Sequence, residues 1–401
     1  MSSKTKTTGA MEDSNPALLP KLRFPEFHGQ PVREIQLKEV TAESTVRNGK
    51  TLDIASVMGV TKAEGIVPME DRLIASDIAR YKLVRKDWFA YNPMRLNIGS
   101  IARWQGESDI LVSPDYVVFK CVERGSLRID PAYLDHFRRS GDWENFVSEK
   151  GDGSVRIRIY YNDLALLQLA LPPYEEQQKI AECLSSLDEL IAAKEQKLDT
   201  LKTHKKGLMQ QLFPREGETQ PNLRFSDFRE SWIENKLEDI CMSISSGRDK
   251  LDPEGAFDLY GSTSVIGKTT NPSFRGERIL IARVGANAGL LTRAKGEFGV
   301  TDNTIVVSPQ PTTNIDFIFH YLESININRL IFGSGQPLIT GSILKNLPIF
   351  VPSELEQLKI SACLSSLDDV IFNLDRELEA IYTHKTGLMQ QLFPLPAEID
   401  A

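Results

Sequence analysis

Two phrases, HKKGLMQQLFP ending at Pro214 and HKTGLMQQLFP ending at Pro394, differ at one position and lie 180 residues apart. The same offset relates QQKIAECLSSLD (Gln177–Asp188) to QLKISACLSSLD (Gln357–Asp368), with nine of twelve positions identical. Unrelated stretches would match at about one position in twenty, so the chain is internally duplicated. Each half also opens on a shared phrase, LRFPEF at Leu22–Phe27 and LRFSDF at Leu223–Phe228. Their offset is 201, which leaves 21 fewer residues between the opening and closing phrases of the second half. Between those phrases the two halves show no alignment. The expectation is a duplicated frame around two private inserts, a layout suited to reading two different things at a fixed separation.

The closing phrases belong to long helices. Alternating steps of four and three pass through Ile180, Leu184, Leu187, Ile191, Lys194, Leu198, Leu201, Lys205, Leu208 and Leu212. The second copy runs through Ile360, Leu364, Leu367, Ile371, Leu374, Leu378, Ile381, Lys385, Leu388 and Leu392. This is an a/d seam held for about five heptads. Prolines bound both segments, at Pro172, Pro173 and Pro214, and at Pro352 and Pro394, and none interrupts them. Each helix of roughly 40 residues would be about 60 Å long. A stripe that narrow must be covered, and the economical partner for one helix is the other, as an antiparallel coiled coil. Lys194, Lys205 and Lys385 break the seam and would fix its register at some cost in stability. The soft apolar ends, Leu208, Met209, Leu212 and Phe213 with Leu388, Met389, Leu392 and Phe393, admit two readings. They dock another subunit, as Met-rich faces often do, or they pack on the opening LRF segment.

The inserts have strand grammar at Asp115–Val122, Arg156–Tyr161, Arg278–Val284 and Asn303–Ser308, with turns between, and short helices at Pro131–Ser140 and Asp316–Ser324. The fold class predicted is α+β: two mixed α/β globules separated by the coiled coil, with pseudo-twofold internal repetition. Domain boundaries are expected as follows: a disordered tail over 1–19, a first globule over 20–172, a first spacer helix over 173–214, a second globule over 215–351, a second spacer helix over 352–394 and a tail over 395–401.

Net charge is −8, from 47 basic and 55 acidic residues, which counts against coating nucleic acid by bulk charge. Positive charge is nevertheless concentrated in both inserts. Six basic residues face one acid between Arg80 and Arg103, and five face one between Arg275 and Lys295. Trp88, Tyr91, Asn92, Asn97, Trp104, Asn287 and Asn303 are interleaved with them. Arginine on guanine and asparagine on adenine are the usual bidentate base-edge contacts. Small-residue loops at Arg283–Gly289 and Gly333–Pro337 would let backbone approach a ligand closely. Asn271–Phe274 (NPSF), Asn92–Arg95 (NPMR) and Phe332–Gly335 (FGSG) are degraded versions of adenine-methyltransferase motifs, without a doubly wound series around them. They argue against intrinsic methyl transfer. None of the four cysteines forms a CxxC pair, which argues against zinc and for a reduced, cytoplasmic chain. Cys183 and Cys363 are expected to pack on helix faces. No apolar run approaches the ~18 residues of a membrane span, and the first twenty residues carry no signal-peptide pattern.

Two variable globules, two near-identical long helices, the LRF openings and the helix start EEQQKIAECLSSLDELI together resemble the specificity subunit of type I restriction–modification systems. The resemblance covers about residues 20–394. Tyr91–Trp104 (YNPMRLNIGSIARW) with Ser113–Phe119 is similar to target-recognition sequence of that family, as are ILIARVGANAGL, VTDNTIVV and GSGQP in the second insert. The resemblance implies a non-enzymatic reader of double-stranded DNA. Each globule would read half of a split, asymmetric target across an unread gap, and half-sites about 34 Å apart suit a rigid spacer. It implies two modification subunits that carry S-adenosylmethionine and adenine methylation, no cofactor on this chain, and restriction (motor and nuclease) subunits in the full complex. The residues assigned to DNA are Tyr91, Asn92, Arg95, Asn97 and Arg103 in the first globule. In the second they are Arg248, Arg283, Asn287, Asn303 and Gln336. The competing class is a coiled-coil adaptor whose inserts bind protein. Within the DNA class, a modification-only system is a further variant.

Overall fold

The computed structural model describes residues 19–70, 74–149, 158–330 and 338–393. The expected terminal tails and the GSGQP loop with Gln336 lie outside or almost wholly outside these residues. The chain divides into two compact units, Met1–Ala193 with Glu379–Ala401 (unit 1) and Lys194–Leu378 (unit 2). Seven helices are described: α1 (Pro131–Phe137), α2 (Gly141–Glu149), α3 (Tyr161–Leu164), α4 (Tyr174–Leu212), α5 (Ile315–Ser324), α6 (Gly341–Lys345) and α7 (Glu354–Leu392).

The two 39-residue helices α4 and α7 are the heptad segments. Both start just after a proline, with two glutamates in the first turn facing the positive end of the helix dipole. Within unit 1 the start of α4 lies beside the end of α7, so that Ile180, Ala181 and Leu184 share a core with Leu392 and Phe393. Lys385 there pairs with Asp188. Within unit 2 the end of α4 lies beside the start of α7: Met209, Leu212 and Phe213 share a core with Ile360 and Leu364. Lys205 pairs with Asp368 at 2.7 Å, and Lys194 with Glu377 at 2.6 Å. The pairing is antiparallel in both units, and each lysine in the seam meets an acid of the opposite helix.

The two inserts, which share no readable alignment, hold the same central sheet. In unit 1 four strands run in the order Thr41–Glu43, Val117–Cys121, Phe89–Tyr91, Ile101–Arg103. In unit 2 the order is Cys241–Ser246, Thr304–Pro309, Arg278–Ala282, Leu291–Ala294. In both, the second and third strands are central and the fourth is an edge. The duplication therefore extends through the inserts. It escapes sequence comparison because a buried strand needs apolar residues of about the right volume, not particular ones. Period-two alternation serves both faces. Phe89, Tyr91 and Phe119, or Ile279, Ile281, Ile305 and Val307, pack toward the helices. Ala90, Ala102 and Val118, or Leu280, Ala294 and Val306, pack toward a second β layer.

The strand expected at Arg156–Tyr161 does not form over its described part. Ile159 donates its N–H to Pro93 O (3.0 Å), and Asp163 accepts the N–H of Tyr160 (3.0 Å), turning the chain into α3. A carboxylate three residues ahead caps a helix start more effectively than a lone sheet edge can extend.

The frame is repeated at atomic level. Gln177 Oε1 accepts the N–H of Asp130 (2.8 Å), and Gln357 Oε1 accepts that of Asn314 (3.0 Å). The same side chains donate to Pro172 O (2.9 Å) and Pro352 O (3.0 Å). Each glutamine thus staples the start of a long helix to the capping residue of α1 or α5. Arg23 pairs with buried Glu176, and Arg224 grips buried Glu356 through two bonds of 2.9 and 2.7 Å. This explains the LRF openings: their arginine satisfies a glutamate inside each frame, and the leucine before it is bonded to the end of a long helix. Leu22 N–H bonds Gln391 O, and Leu223 N–H bonds Gln211 O, both at 2.9 Å.

The helix ends are core rather than open docking surface. Phe393 packs on Tyr133 and Phe137 with ring centroids 5.4 and 5.7 Å apart. Phe213 packs on Phe317 and Tyr321 at 5.6 and 5.3 Å. Met209, Leu212 and Leu392 are buried, and Leu208, Leu388 and Met389 pack against the same cores. The partners are the aromatic faces of α1 and α5, more than the LRF segments. Burying each ring contributes about 2–3 kcal/mol, a driving force that leaves these side chains committed within the chain.

Candidate nucleic-acid interface

One end of each central sheet carries exposed polar side chains. In unit 1 it is the turn from Asn92 to Ser100, which joins the third strand to the edge strand. Asn92 N–H bonds Ser100 O (3.2 Å) and Arg95 N–H bonds Asn92 O (2.9 Å), closing the turn. Gly99 takes a positive φ of 88° that ends its short helical piece. The Asn92 side chain is used locally, since its Oδ1 accepts the N–H of Met94 (3.0 Å). Arg95 and Asn97 are exposed and make no side-chain hydrogen bond or ion pair among the described residues. Met94 and Ile98, 49% and 53% exposed, stand beside them. Lys62, from the neighbouring hairpin, packs its stem so near Gly99 that a Cβ there would lie 3.3 Å from it.

Two assigned residues do not join this turn. Tyr91 is fully buried, because alternation along Phe89–Tyr91 sends it inward with Phe89. Its hydroxyl has no hydrogen-bond partner among the described residues, and burial pushes its pKa far above the usual phenol range. Arg103 lies at the far end of the edge strand, where it pairs with Asp87 at 3.0 Å. Both are structural.

In unit 2 the corresponding end gathers three strand ends. Gly247 N–H bonds Thr304 O (3.0 Å), and Arg283 N–H bonds Asn303 O (2.9 Å). Arg248, Arg283 and Asn303 are thereby brought together. Arg248 and Asn303 are exposed, and their side chains make no bond or ion pair among the described residues. Arg283 is half-buried and its Nη1 reaches Asp302 O at 3.5 Å. Asn287 is exposed on the turn that follows, which packs so closely on the 3₁₀ turn Ile327–Leu330 that a Cβ on Gly289 would lie 2.0 Å from Asn328 Oδ1. Ile339 N–H bonds Arg283 O (2.9 Å), as Ile159 N–H bonds Pro93 O in unit 1, so the two turns are equivalents.

Sequence reasoning missed Lys62, Met94 and Ile98, and the hairpin tip Ser262–Ser264 beside Asn303, where Ser262 Oγ reaches Asn303 O at 3.5 Å. A turn signal preceding each strand was the available clue. The basic clusters are less free than their sequence density implies. Lys86 pairs with Glu107, Arg85 with Asp109, Arg275 with Glu297 and Arg293 with Asp316. Among the described residues, the exposed arginines that stand unpaired at the two strand-end sites are Arg95 in one unit and Arg248 in the other. Among the described residues no group of His, Cys, Asp or Glu could hold a metal, and no helix is long and apolar enough to cross a membrane. The four cysteines are unpaired.

Two units with one scaffold and different exposed side chains at the same end define a two-headed recognition protein, built by duplication. The family model of the type I restriction modification DNA specificity domain matches residues 145–203 and 229–381, just over half of the chain. The chain belongs to that family. It is 32% identical over 151 residues to the EcoprrI specificity subunit of Escherichia coli, an alignment spanning 35% of this chain and 38% of that one. It is 26% identical over 339 residues to a chain provisionally named the MjaX specificity subunit of Methanocaldococcus jannaschii, spanning 79% of both. The fold is shared with the crystal structure of a type I restriction–modification S subunit from M. genitalium, with TM-score 0.65, 15% identity and coverage of 94% of this chain and 99% of that one. It is shared also with a chain from a structure addressing complex assembly of the type I system, with TM-score 0.55, 18% identity and coverage of 90% and 96%.

Proposed function

We propose that this chain is the sequence-reading subunit of a cytoplasmic type I restriction–modification complex. In this reading the globules over 20–172 and 215–351 each contact one half of a split target in double-stranded DNA. The observation that carries it is the equivalence of the two strand-end sites combined with their different side chains: Arg95 and Asn97 in unit 1, Arg248, Arg283 and Asn303 in unit 2. One scaffold with unlike contact sets is what two unlike half-sites require. The chain performs no chemistry itself. Two modification subunits bring S-adenosylmethionine and transfer methyl to adenine, and restriction subunits complete the nuclease. The burial of Met209, Leu212, Phe213, Leu392 and Phe393 favours docking of those subunits on faces of the helices that remain exposed.

The test is to express the full chain with a type I modification subunit in a host free of adenine methylation and to map methylated adenines across its genome. A split motif with an invariant gap supports the reading. Absence of methylation, with the complex shown to assemble, would favour a protein-binding adaptor instead.

A further inference from the structure

Arg248 is an exposed cation without a partner among the described residues, and the backbone on both sides of it is fixed. On one side stands Gly247. Its N–H bonds Thr304 O, and a Cβ there would lie 2.1 Å from Val300 O, so no side chain fits. On the other side stands Asp249. Its N–H bonds Val300 O (3.0 Å), its Oδ2 accepts the N–H of Val300 (2.8 Å), and its Oδ1 accepts the hydroxyl of Ser273. The strand Glu297–Val300 meets this carboxylate through Gly299, whose missing Cβ would lie 3.1 Å from Asp249 Cβ and Oδ2. Glu297–Val300 belongs to the second four-stranded sheet of unit 2, whereas Cys241–Ser246 and Thr304–Pro309 belong to the central one. Asp249 therefore joins the two sheets at the residue next to Arg248. A long, flexible arginine reads a base edge only when its Cα is held, because the bidentate geometry tolerates little play.

We infer that Asp249 is a positioning residue, which does not touch DNA and which aims Arg248 at one base pair of the half-site read by unit 2. The inference rests on the DNA-reading function proposed above. In unit 1 the corresponding role falls to the turn closed by Asn92, whose side chain is likewise spent on backbone one step from an exposed arginine.

The experiment maps methylated adenines for the full chain co-expressed with its modification subunit, comparing wild type with Arg248→Ala, Asp249→Ala, Asp249→Asn and the Arg248→Ala/Asp249→Ala double variant. Asn keeps an oxygen for Val300 N–H, and its amide can donate to Ser273 Oγ. Arg248→Ala should raise methylation at sites departing from the motif at a single position by about tenfold. Asp249→Ala should loosen that same position, Asp249→Asn should restore it, and the double variant should be no looser than Arg248→Ala alone. The inference is overturned if Asp249→Ala lowers methylation equally at all sites, loosens the other half of the motif, or adds to Arg248→Ala. It is overturned also if Arg248→Ala acts uniformly, as a phosphate contact would. Failure of the underlying function would show earlier and separately, as no split motif from the wild-type chain.

Discussion

Unit 1 and unit 2 agree where the chain must be held and differ where it is exposed. Gln177 and Gln357, Arg23 and Arg224, and Phe393 and Phe213 make equivalent bonds and contacts in the two cores, and the sheets they support have one strand order. At the strand ends the likeness stops. Unit 1 offers a short turn carrying Arg95 and Asn97. Unit 2 offers three convergent strand ends, with Arg248 held between Gly247 and Asp249. The difference teaches that this scaffold separates stability from recognition: the frame bears the burial and the buried charge, and the sheet ends can change without disturbing either.

If so, damage to a frame element should stay within its own unit. The largest effect is expected from Arg23→Ala, which strands Glu176, a fully buried carboxylate. Orphaning such a charge costs about 3–5 kcal/mol. Hydrogen–deuterium exchange should show protection lost in unit 1 peptides, and Arg224→Ala should do the same to unit 2. Equal loss in both units from either variant would break the comparison. Phe393→Ala and Phe213→Ala come next, each removing a ring from an aromatic cluster at about 3–4 kcal/mol. Their thermal transitions should fall in the unit that houses the ring.

The third effect depends on pH. Burial pushes the pKa of His136 down to about 4, outweighing the attraction of Asp135 and Asp188, while Arg139 and Lys385 lower it further. An unfolded histidine titrates near 6.5, so between those values the unfolded chain binds more protons, and stability from this site falls as pH falls. The full difference is about 3 kcal/mol. Asp142, raised to about 6 by burial, acts with the opposite sign in part of this window. The comparison is therefore between wild type and His136→Gln: the variant's urea midpoint should lose the acid-side decline that His136 supplies. Unchanged slopes would remove His136 as its source. Smallest of the four, Gln177→Ala and Gln357→Ala each orphan a helix-capping N–H, and should cost about 1–3 kcal/mol in their own units.

Sequence alone shows the frame well and the recognition end only in part. The heptad seam and flanking prolines predict α4 and α7 closely, since a five-heptad stripe has few alternative structures. The short helices α1 and α5 are also legible. The common sheet is hidden, because Phe89, Tyr91 and Phe119 do in one unit what Ile279, Ile281 and Ile305 do in the other. At the candidate interface, residue type points correctly to arginines and asparagines in turns but cannot show their partners. Glu107, Asp109, Glu297 and Asp316 neutralise much of the basic clusters from other segments of their units. Tyr91 and Arg103 look like binding residues until strand direction and alternation place one in the core and the other at the wrong end.

The central claim is that the two sheet ends read different halves of one target. It is tested most directly by the binding of the reconstituted complex to short duplexes carrying the mapped motif, with one half or the other altered, for wild type, Arg95→Ala and Arg248→Ala. The account predicts that Arg95→Ala erases discrimination at one position of the half read by unit 1 and leaves the other half intact, and that Arg248→Ala does the reverse. Discrimination lost equally in both halves from either substitution would contradict it.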